Sequence, residues 1–197
     1  MIVVTGSSGF IGRHLVDRLV ADGRPVVGID RRPAPDVAGS GRARHRAIVA
    51  DLAEASSVLR HMLGTASAVV HLAACPGVRD VAPDIAGRRW RDNVLATRHV
   101  VAATRADAPL VVASSSSVYG GTVGGRASRE DDALCPIGGY ARSKVMLERI
   151  AAERGAAGGA VTVVRPFTVV GPGQRPDMAL SRWIDAAVAG RPLQVYG

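Results

Sequence analysis

Apolar and polar positions run in blocks along this chain, and the blocks switch period in a regular order. "MIVVT" (1–5) is a continuous apolar run of strand length, whereas "GFIGRHLVDRLVADG" (9–23) returns apolar residues every three or four positions, as a helix with one buried face does. The couple then repeats. "PVVGID" (25–30), "HRAIVADL" (45–52), "ASAVVHLAA" (66–74), "PLVVASSSS" (109–117) and "AVTVVRP" (160–166) read as strands, and 53–63, 84–106, 140–154 and 179–190 read as helices. The stretch 33–45, with two Pro, two Gly and several Arg, reads as a surface connection. Short, continuously apolar strands between helices predict a parallel sheet covered on both faces. That is an α/β doubly wound, Rossmann-type fold, in which ligands sit at the carboxyl ends of the strands.

Composition narrows the function classes. The 197 residues suffice for one domain with a full core, or one domain and part of another. No apolar run reaches 18 residues, so no membrane span is expected, and the glycine-punctuated start does not read as a signal peptide. A cytoplasmic location is the expectation. Cys75 and Cys135 suggest neither a disulfide framework nor a metal site. The formal charge of +8 is spread among acids, as in "RRWRDNVLATRH", with 4% aromatic residues, which argues against nucleic acid. A phosphate-bearing small molecule suits such a balance better.

The first βα turn is "TGSSGFIG", with Gly6, Gly9 and Gly12 three residues apart. Glycines there permit a tight turn and close approach to a pyrophosphate, which the free N–H groups of the helix N-terminus receive. The second strand ends in Asp30, 18 residues beyond Gly12, a position suited to ribose hydroxyls and hostile to a 2′-phosphate. Asp30 thus argues for NAD, while Arg31 and Arg32 behind it suit the 2′-phosphate of NADP. Asp51, closing the third strand, reads either as a cap of the next helix or as a neighbour of an adenine ring.

At the other end of the chemistry stands "GGYARSKVMLERI" (138–150). The 25 basic residues include a single lysine, Lys144. It lies four residues after Tyr140 on one face of a predicted helix. A tyrosine with pKa near 10 is a poor base unless a cation stabilises the phenolate, and a compact ammonium does this while still hydrogen-bonding a ribose. In "ASSSSVYG" (113–120), four hydroxyls in a row close a strand, where a polar ligand would satisfy them.

In this order "TGSSGFIG", Asp30, Asp51-Leu52, "HLAA" (71–74), Asn93, "SSSSVYG", "YARSK" and "RPFTVVGPGQRPDMA" (165–179) resemble the extended short-chain dehydrogenase/reductases acting on nucleotide sugars. The resemblance implies a catalytic triad of Ser115, Tyr140 and Lys144. For the cofactor, NAD, it implies Gly6, Gly9, Phe10, Ile11, Gly12, Asp30, Arg31, Asp51, Leu52, Leu72, Ala73, Ala74, Asn93, Tyr140, Lys144 and Pro166. Sugar dehydratases of this family carry Asp-Glu where this chain has Ser116-Ser117, and the related decarboxylases carry a Glu there. "SSSSVYG" with "FTVVGPGQRPDMA" is most similar to UDP-glucuronate 4-epimerases. In that group Ser115, Ser116, Ser117, Thr168 and Arg175 would surround the sugar carboxylate, with Arg79 and Tyr140 also on the substrate; Arg175 also suits a nucleotide phosphate. Val81 departs from the family pattern, standing where relatives have Ser.

The implied reaction is NAD-dependent 4-epimerisation of a nucleotide sugar through a 4-keto intermediate, best matched by UDP-glucuronate to UDP-galacturonate, in a homodimer. A neutral sugar, or an NAD-binding fragment without turnover, are the other readings. The expected organisation is a cofactor domain over 1–166 and the start of an incomplete substrate-binding portion over 167–197. Relatives continue past "GRPLQVYG" with segments that hold most of the nucleotide, so weak sugar-nucleotide binding and an exposed apolar face near 179–196 are expected of these residues alone.

Overall fold

The computed structural model describes residues 1–34, 44–77, 82–122 and 125–194. The chain divides into two compact units, Met1–Phe167 and Thr168–Gly197. In the first, strands β1 (Ile2–Thr5), β2 (Val26–Asp30), β3 (His45–Val49), β4 (Ala68–His71), β5 (Leu110–Ala113) and β6 (Val161–Val164) form one parallel sheet in the order β3-β2-β1-β4-β5-β6. The chain builds outward from β1 to β3, then starts again on the other side of β1. Loops beside β1 and β4 therefore leave the sheet in opposite directions, and such a reversal opens a crevice at the strands' carboxyl ends.

Consecutive strand residues point to opposite faces, and both faces are dry at β1 and β2, whereas the edge strands β3 and β6 are partly exposed. Val3 clusters with Ile29, Leu63, Val69, Val100, Leu110 and Leu147, whereas Val4 clusters with Val16, Val20 and Val26. Helix α1 (Phe10–Ala21) covers the second face. The first is covered by α2 (Ser57–Gly64), by the helix that follows β4, and by α5 (Gly138–Ala156). The helix after β4, expected as one regular element over 84–106, comes in three parts: α3 (Ile85–Arg89), a π-helical turn (Trp90–Leu95) and α4 (Ala96–Ala103). Such turns are often found at functional sites.

Elements end short of their apolar runs wherever a polar group finds a local partner. β3 stops at Val49 instead of reaching 52, because Asp51 folds back: its Oδ1 accepts from Ala53 N–H at 2.9 Å and its carbonyl from Glu54 N–H at 3.1 Å. α2 begins at Ser57 and not at 53, since Ser56 Oγ accepts from Leu59 N–H at 3.2 Å as the N-cap. β5 ends at Ala113, and Ser115 Oγ accepts from Ser117 N–H at 3.2 Å to open a short 3-10 turn, Ser116–Tyr119.

One buried arginine closes the far end of the first unit. Arg154 of α5 donates to the carbonyls of Thr104 at 2.9 Å, Arg105 at 2.5 Å and Ala108 at 2.9 Å, groups left open where α4 stops. Arg154→Met keeps an unbranched apolar stem but strands these carbonyls. An expected loss of about 3 kcal/mol follows, read as a lower urea midpoint at constant m value.

In the second unit, α6 (Ala179–Val188) has no buried residue, and Ile184 and Val188 are mostly exposed. Trp183 Nε1 donates to the Gln194 carbonyl at 2.7 Å. No helix among the described residues is long and apolar enough to cross a membrane.

Candidate active site

The glycine turn between β1 and α1 is built by exclusion of side chains. Gly6 has φ of +69°, and a Cβ there would lie 2.7 Å from Ala73 N. A Cβ at Gly12 would lie 2.0 Å from the Gly6 carbonyl oxygen. The turn thus closes onto Leu72-Ala73 at the end of β4, with Ala74 next in the same extended stretch. α1 starts at Phe10 with Gly9 as N-cap, no side-chain acceptor and no acid in its first turn. Its leading N–H groups are left for an outside anion. Phe10 stands edge-on to His14, and Ile11 is 40% exposed beside it.

Asp30 closes β2 next to this turn. Its Oδ2 accepts from Ser8 N–H and its Oδ1 from Arg32 N–H, both at 3.0 Å. Each oxygen keeps a further lone pair, so the carboxylate is held in place with capacity for two ribose hydroxyls. A dinucleotide fits this cradle: turn, open helix end and oriented carboxylate lie in sequence along one edge. Arg31 does not join them. Its guanidinium is turned onto Asp92 in the π-helical turn, away from the carboxylate of Asp30. Asp51 is held by Arg91 Nη2 at 2.6 Å, and its pKa is lowered: burial raises it, but Arg91, Ala53 N–H and Arg31 outweigh that. Ser56 and not Asp51 caps α2. Leu52 packs its side chain into the core, leaving only backbone for a ligand.

Asn93, which the resemblance implies for the cofactor, is turned inward. It is fully buried, its Oδ1 accepts from Cys75 N–H at 2.6 Å, and its Nδ2 donates to the Cys75 carbonyl at 3.2 Å and to Ser143 Oγ at 2.8 Å. With both amide protons used, Asn93 ties the loop after β4 to α5 and has no donor to offer. Ser143 in turn donates to the Tyr140 carbonyl at 2.7 Å, so this buried amide steadies the start of α5.

On α5, Tyr140, Lys144 and Glu148 follow each other at one-turn intervals. Lys144 Nζ lies 5.9 Å from the centre of the Tyr140 ring and donates to the Ala113 carbonyl at 2.8 Å. It is 3% exposed, and burial lowers its pKa from 10.5 to about 8 against the opposing charge of Glu148. Glu148 accepts from Ser114 Oγ at 2.5 Å and takes both Arg165 Nε at 3.0 Å and Nη2 at 2.8 Å. Arg165 also donates to the Tyr119 hydroxyl at 3.0 Å. Ser116 N–H donates to the Pro166 carbonyl at 3.0 Å. The serines at the end of β5 are therefore pinned from α5 on one side and β6 on the other. Ser117 Oγ is buried with no hydrogen-bond partner among the described residues. Glu148 and Arg165 went unread in the sequence, although Glu148 stands one turn beyond Lys144.

Arg79 and Val81 lie outside the described residues. Thr168 and Arg175 belong to the second unit, where the Arg175 guanidinium pairs with Asp177. The two cysteines stand apart in kind, Cys75 buried and Cys135 exposed.

A second buried chain of polar groups was also unread. Thr97 Oγ1 donates to the Asn93 carbonyl at 2.7 Å, so its oxygen accepts from His71 Nε2–H at 3.0 Å. His71 Nδ1 then accepts from the Thr5 hydroxyl at 2.7 Å, and Thr5 Oγ1 accepts from Ala73 N–H at 3.3 Å. The ring is 1% exposed; burial, and then the charge of Lys144, lower its pKa to about 3. Because this lies below the ordinary 6.5, the unfolded chain takes up the proton first as pH falls. Stability tied to neutral His71 is complete above pH 6.5 and drains towards pH 3, by about 1.4 kcal/mol per unit inside the window. His45 shifts the same way. Between pH 6 and 4.5, urea unfolding of His71→Gln is expected to show a shallower loss of stability than the unmodified protein. Equal slopes would mean the buried ring is not the group that titrates.

Comparison with known proteins accords with this geometry. MoeE5, solved with UDP-glucuronic acid and NAD and also with UDP-glucose and NAD, superposes with a TM-score of 0.82 at 43% identity, covering 100% of this chain and 64% of MoeE5. The UDP-glucuronic acid 4-epimerase of Bacillus cereus, solved in complex with UDP-glucuronic acid and NAD, gives 0.82 at 32% identity, covering 100% and 65%. A Rhizobium meliloti (strain 1021) protein described as "Probable UDP-glucuronate 4-epimerase" is 34% identical over 210 residues, 99% of this chain and 61% of that one. The chain thus spans somewhat under two thirds of the length of these relatives. Residues 2–197 match the model of the NAD dependent epimerase/dehydratase family, and with the glycine turn, the Asp30 carboxylate and the Tyr140-Lys144 face in place, the chain belongs to that family.

Proposed function

We propose that this chain supplies the cofactor site and the reacting groups of a nucleotide-sugar 4-epimerase, and that its substrate is UDP-glucuronate. The observation that carries the reading is the serine run pinned between α5 and β6, with Ser117 Oγ buried and unpartnered. A buried hydroxyl without a partner calls for a polar ligand, and three consecutive hydroxyls suit a carboxylate that must survive the reaction intact.

In this reading the α1 N-terminus would hold the pyrophosphate of NAD, Asp30 its adenosine ribose and Lys144 its nicotinamide ribose. When bound, NAD supplies a hydride acceptor that later returns the hydride. Tyr140, as phenolate, takes the proton of the sugar 4-hydroxyl while the C4–H bond gives up its hydride, so that C4 becomes a ketone. Ser115 hydrogen-bonds the reacting oxygen. Lys144, charged beside the Tyr140 ring, favours the phenolate over the phenol. After the keto-sugar presents its other face, the hydride adds back to C4 and Tyr140 returns the proton, which inverts the centre.

A neutral sugar is the second reading, supported by the UDP-glucose complex of MoeE5. Assaying interconversion of UDP-glucuronate and of UDP-glucose separates the two. A kcat/KM at least roughly tenfold higher for the uronate is expected, falling towards parity in Ser117→Ala as a carboxylate contact is lost. Turnover of UDP-glucose alone would overturn the uronate assignment.

A further inference from the structure

The residues after Asp30 carry a contradiction. A carboxylate at the end of β2 suits the free ribose of NAD, yet the next residue, Arg31, is the side chain a 2′-phosphate would seek. Its position resolves this. The Arg31 fork lies on Asp92, Nη1 to Oδ1 at 3.1 Å and Nη2 to Oδ2 at 2.7 Å, with Nη1 also 3.9 Å from Asp51 Oδ2. Arg91 completes the set, with Nη1 3.2 Å from Asp92 Oδ1 and Nη2 2.6 Å from Asp51 Oδ2. Two arginines and two aspartates alternate in a ring of zero net charge.

The ring is unequal in exposure. Asp92 is 7% exposed on the π-helical turn, while Arg31 is 49% exposed at its side chain. The mobile, wet partner is therefore the arginine and the fixed, dry one is the carboxylate. Drawing Arg31 off to a phosphate would break two charge-assisted bonds and leave the buried Asp92 carboxylate with Arg91 alone, which it shares with Asp51. Arg32 is a weaker candidate for a phosphate: it is 69% exposed and its Nε lies 3.8 Å from Asp30 itself.

We propose that Asp92 determines dinucleotide specificity: by holding Arg31 in a two-point ion pair, it withholds from the ribose site the cation that NADP would need. The proposal rests on Asp30 as the ribose ligand. It goes beyond that reading by placing the discrimination in a residue of a different element, 62 positions further along the chain.

The test is isothermal titration of NAD and of NADP into four proteins: unmodified, Asp92→Asn, Asp92→Asn combined with Arg31→Ala, and Arg31→Ala. Asp92→Asn keeps the shape but removes the charge. It is expected to raise the NADP-to-NAD affinity ratio about tenfold, and the added Arg31→Ala to abolish that gain. An unchanged ratio in Asp92→Asn, or a gain that survives in the double variant, overturns the proposal. Arg31→Ala alone does not depend on how well the Asp92 variants fold. Because Arg31 is already withheld, its loss is expected to leave NADP affinity unchanged; a drop of about tenfold would show that Arg31 meets the phosphate and overturn the proposal. Asp30→Ala is the control: if it binds NAD as well as the unmodified protein, the ribose reading fails, and this one with it.

Discussion

Turnover in the Tyr140→Phe variant is expected to fall by roughly 10²–10⁴, while dinucleotide binding stays nearly intact. The change removes one oxygen and keeps the ring, so the contact of Lys144 with the aromatic face, 5.9 Å from Nζ to the ring centre, survives. The reacting hydroxyl loses the group that takes its proton, and no other described residue on that face of α5 replaces it: Lys144 is a donor to Ala113, and Glu148 is bound by Ser114 and Arg165. Comparing kcat with the dissociation constant of NAD separates this outcome from simple misfolding. A variant with normal turnover would remove Tyr140 from the mechanism.

Lys144→Arg is expected to be nearly as damaging and, unlike the first, to weaken the cofactor as well. Lys144 is buried, and its Nζ sits 2.8 Å from the Ala113 carbonyl, in space shaped for an ammonium. A planar guanidinium overfills it, at a cost of about 1–3 kcal/mol in packing. The chemistry differs too. Burial holds the lysine pKa at about 8, so the charge that favours phenolate is present below that value and is lost as pH rises through it. The unmodified enzyme should therefore lose rate above pH 8, whereas the small residual rate of Lys144→Arg should not fall there, because a guanidinium does not titrate in that range. An active Lys144→Arg variant with the same falling limb would show that another group sets it.

Both variants probe a pair that the chain itself makes legible. Tyr140 and Lys144 are four apart on a helix, a local relation that any reader of the sequence can see. The sheet was legible for the same reason. Continuous apolar runs such as "MIVVT" and "ASAVVHLAA" have one way to bury both faces, and the glycines of "TGSSGFIG" permit a turn that no other residue type allows. Local spacing, apolar period and the missing Cβ are properties of the chain itself, so the sequence alone determined the fold class, the glycine turn and the shared helix face of Tyr140 and Lys144.

Partnerships across the fold were another matter. Arg31 and Asp92 are 61 residues apart, Ser114 and Glu148 34, Thr5 and His71 66. In the sequence each is a polar residue with many possible partners, and Arg31, beside Asp30, suits a 2′-phosphate as readily as a carboxylate. Packing chose the carboxylate: once Asp92 was buried by the π-helical turn, it needed a cation, and the half-exposed Arg31 could reach it at little cost. Asn93 and Asp51 follow the same rule. Asn93 is bonded to Cys75 and Ser143, and Asp51 to Arg91 and Ala53, partners that only the packed chain supplies. The tertiary structure alone decided which polar groups face a ligand and which face each other, because the cost of an unpaired group exists only after water has been removed.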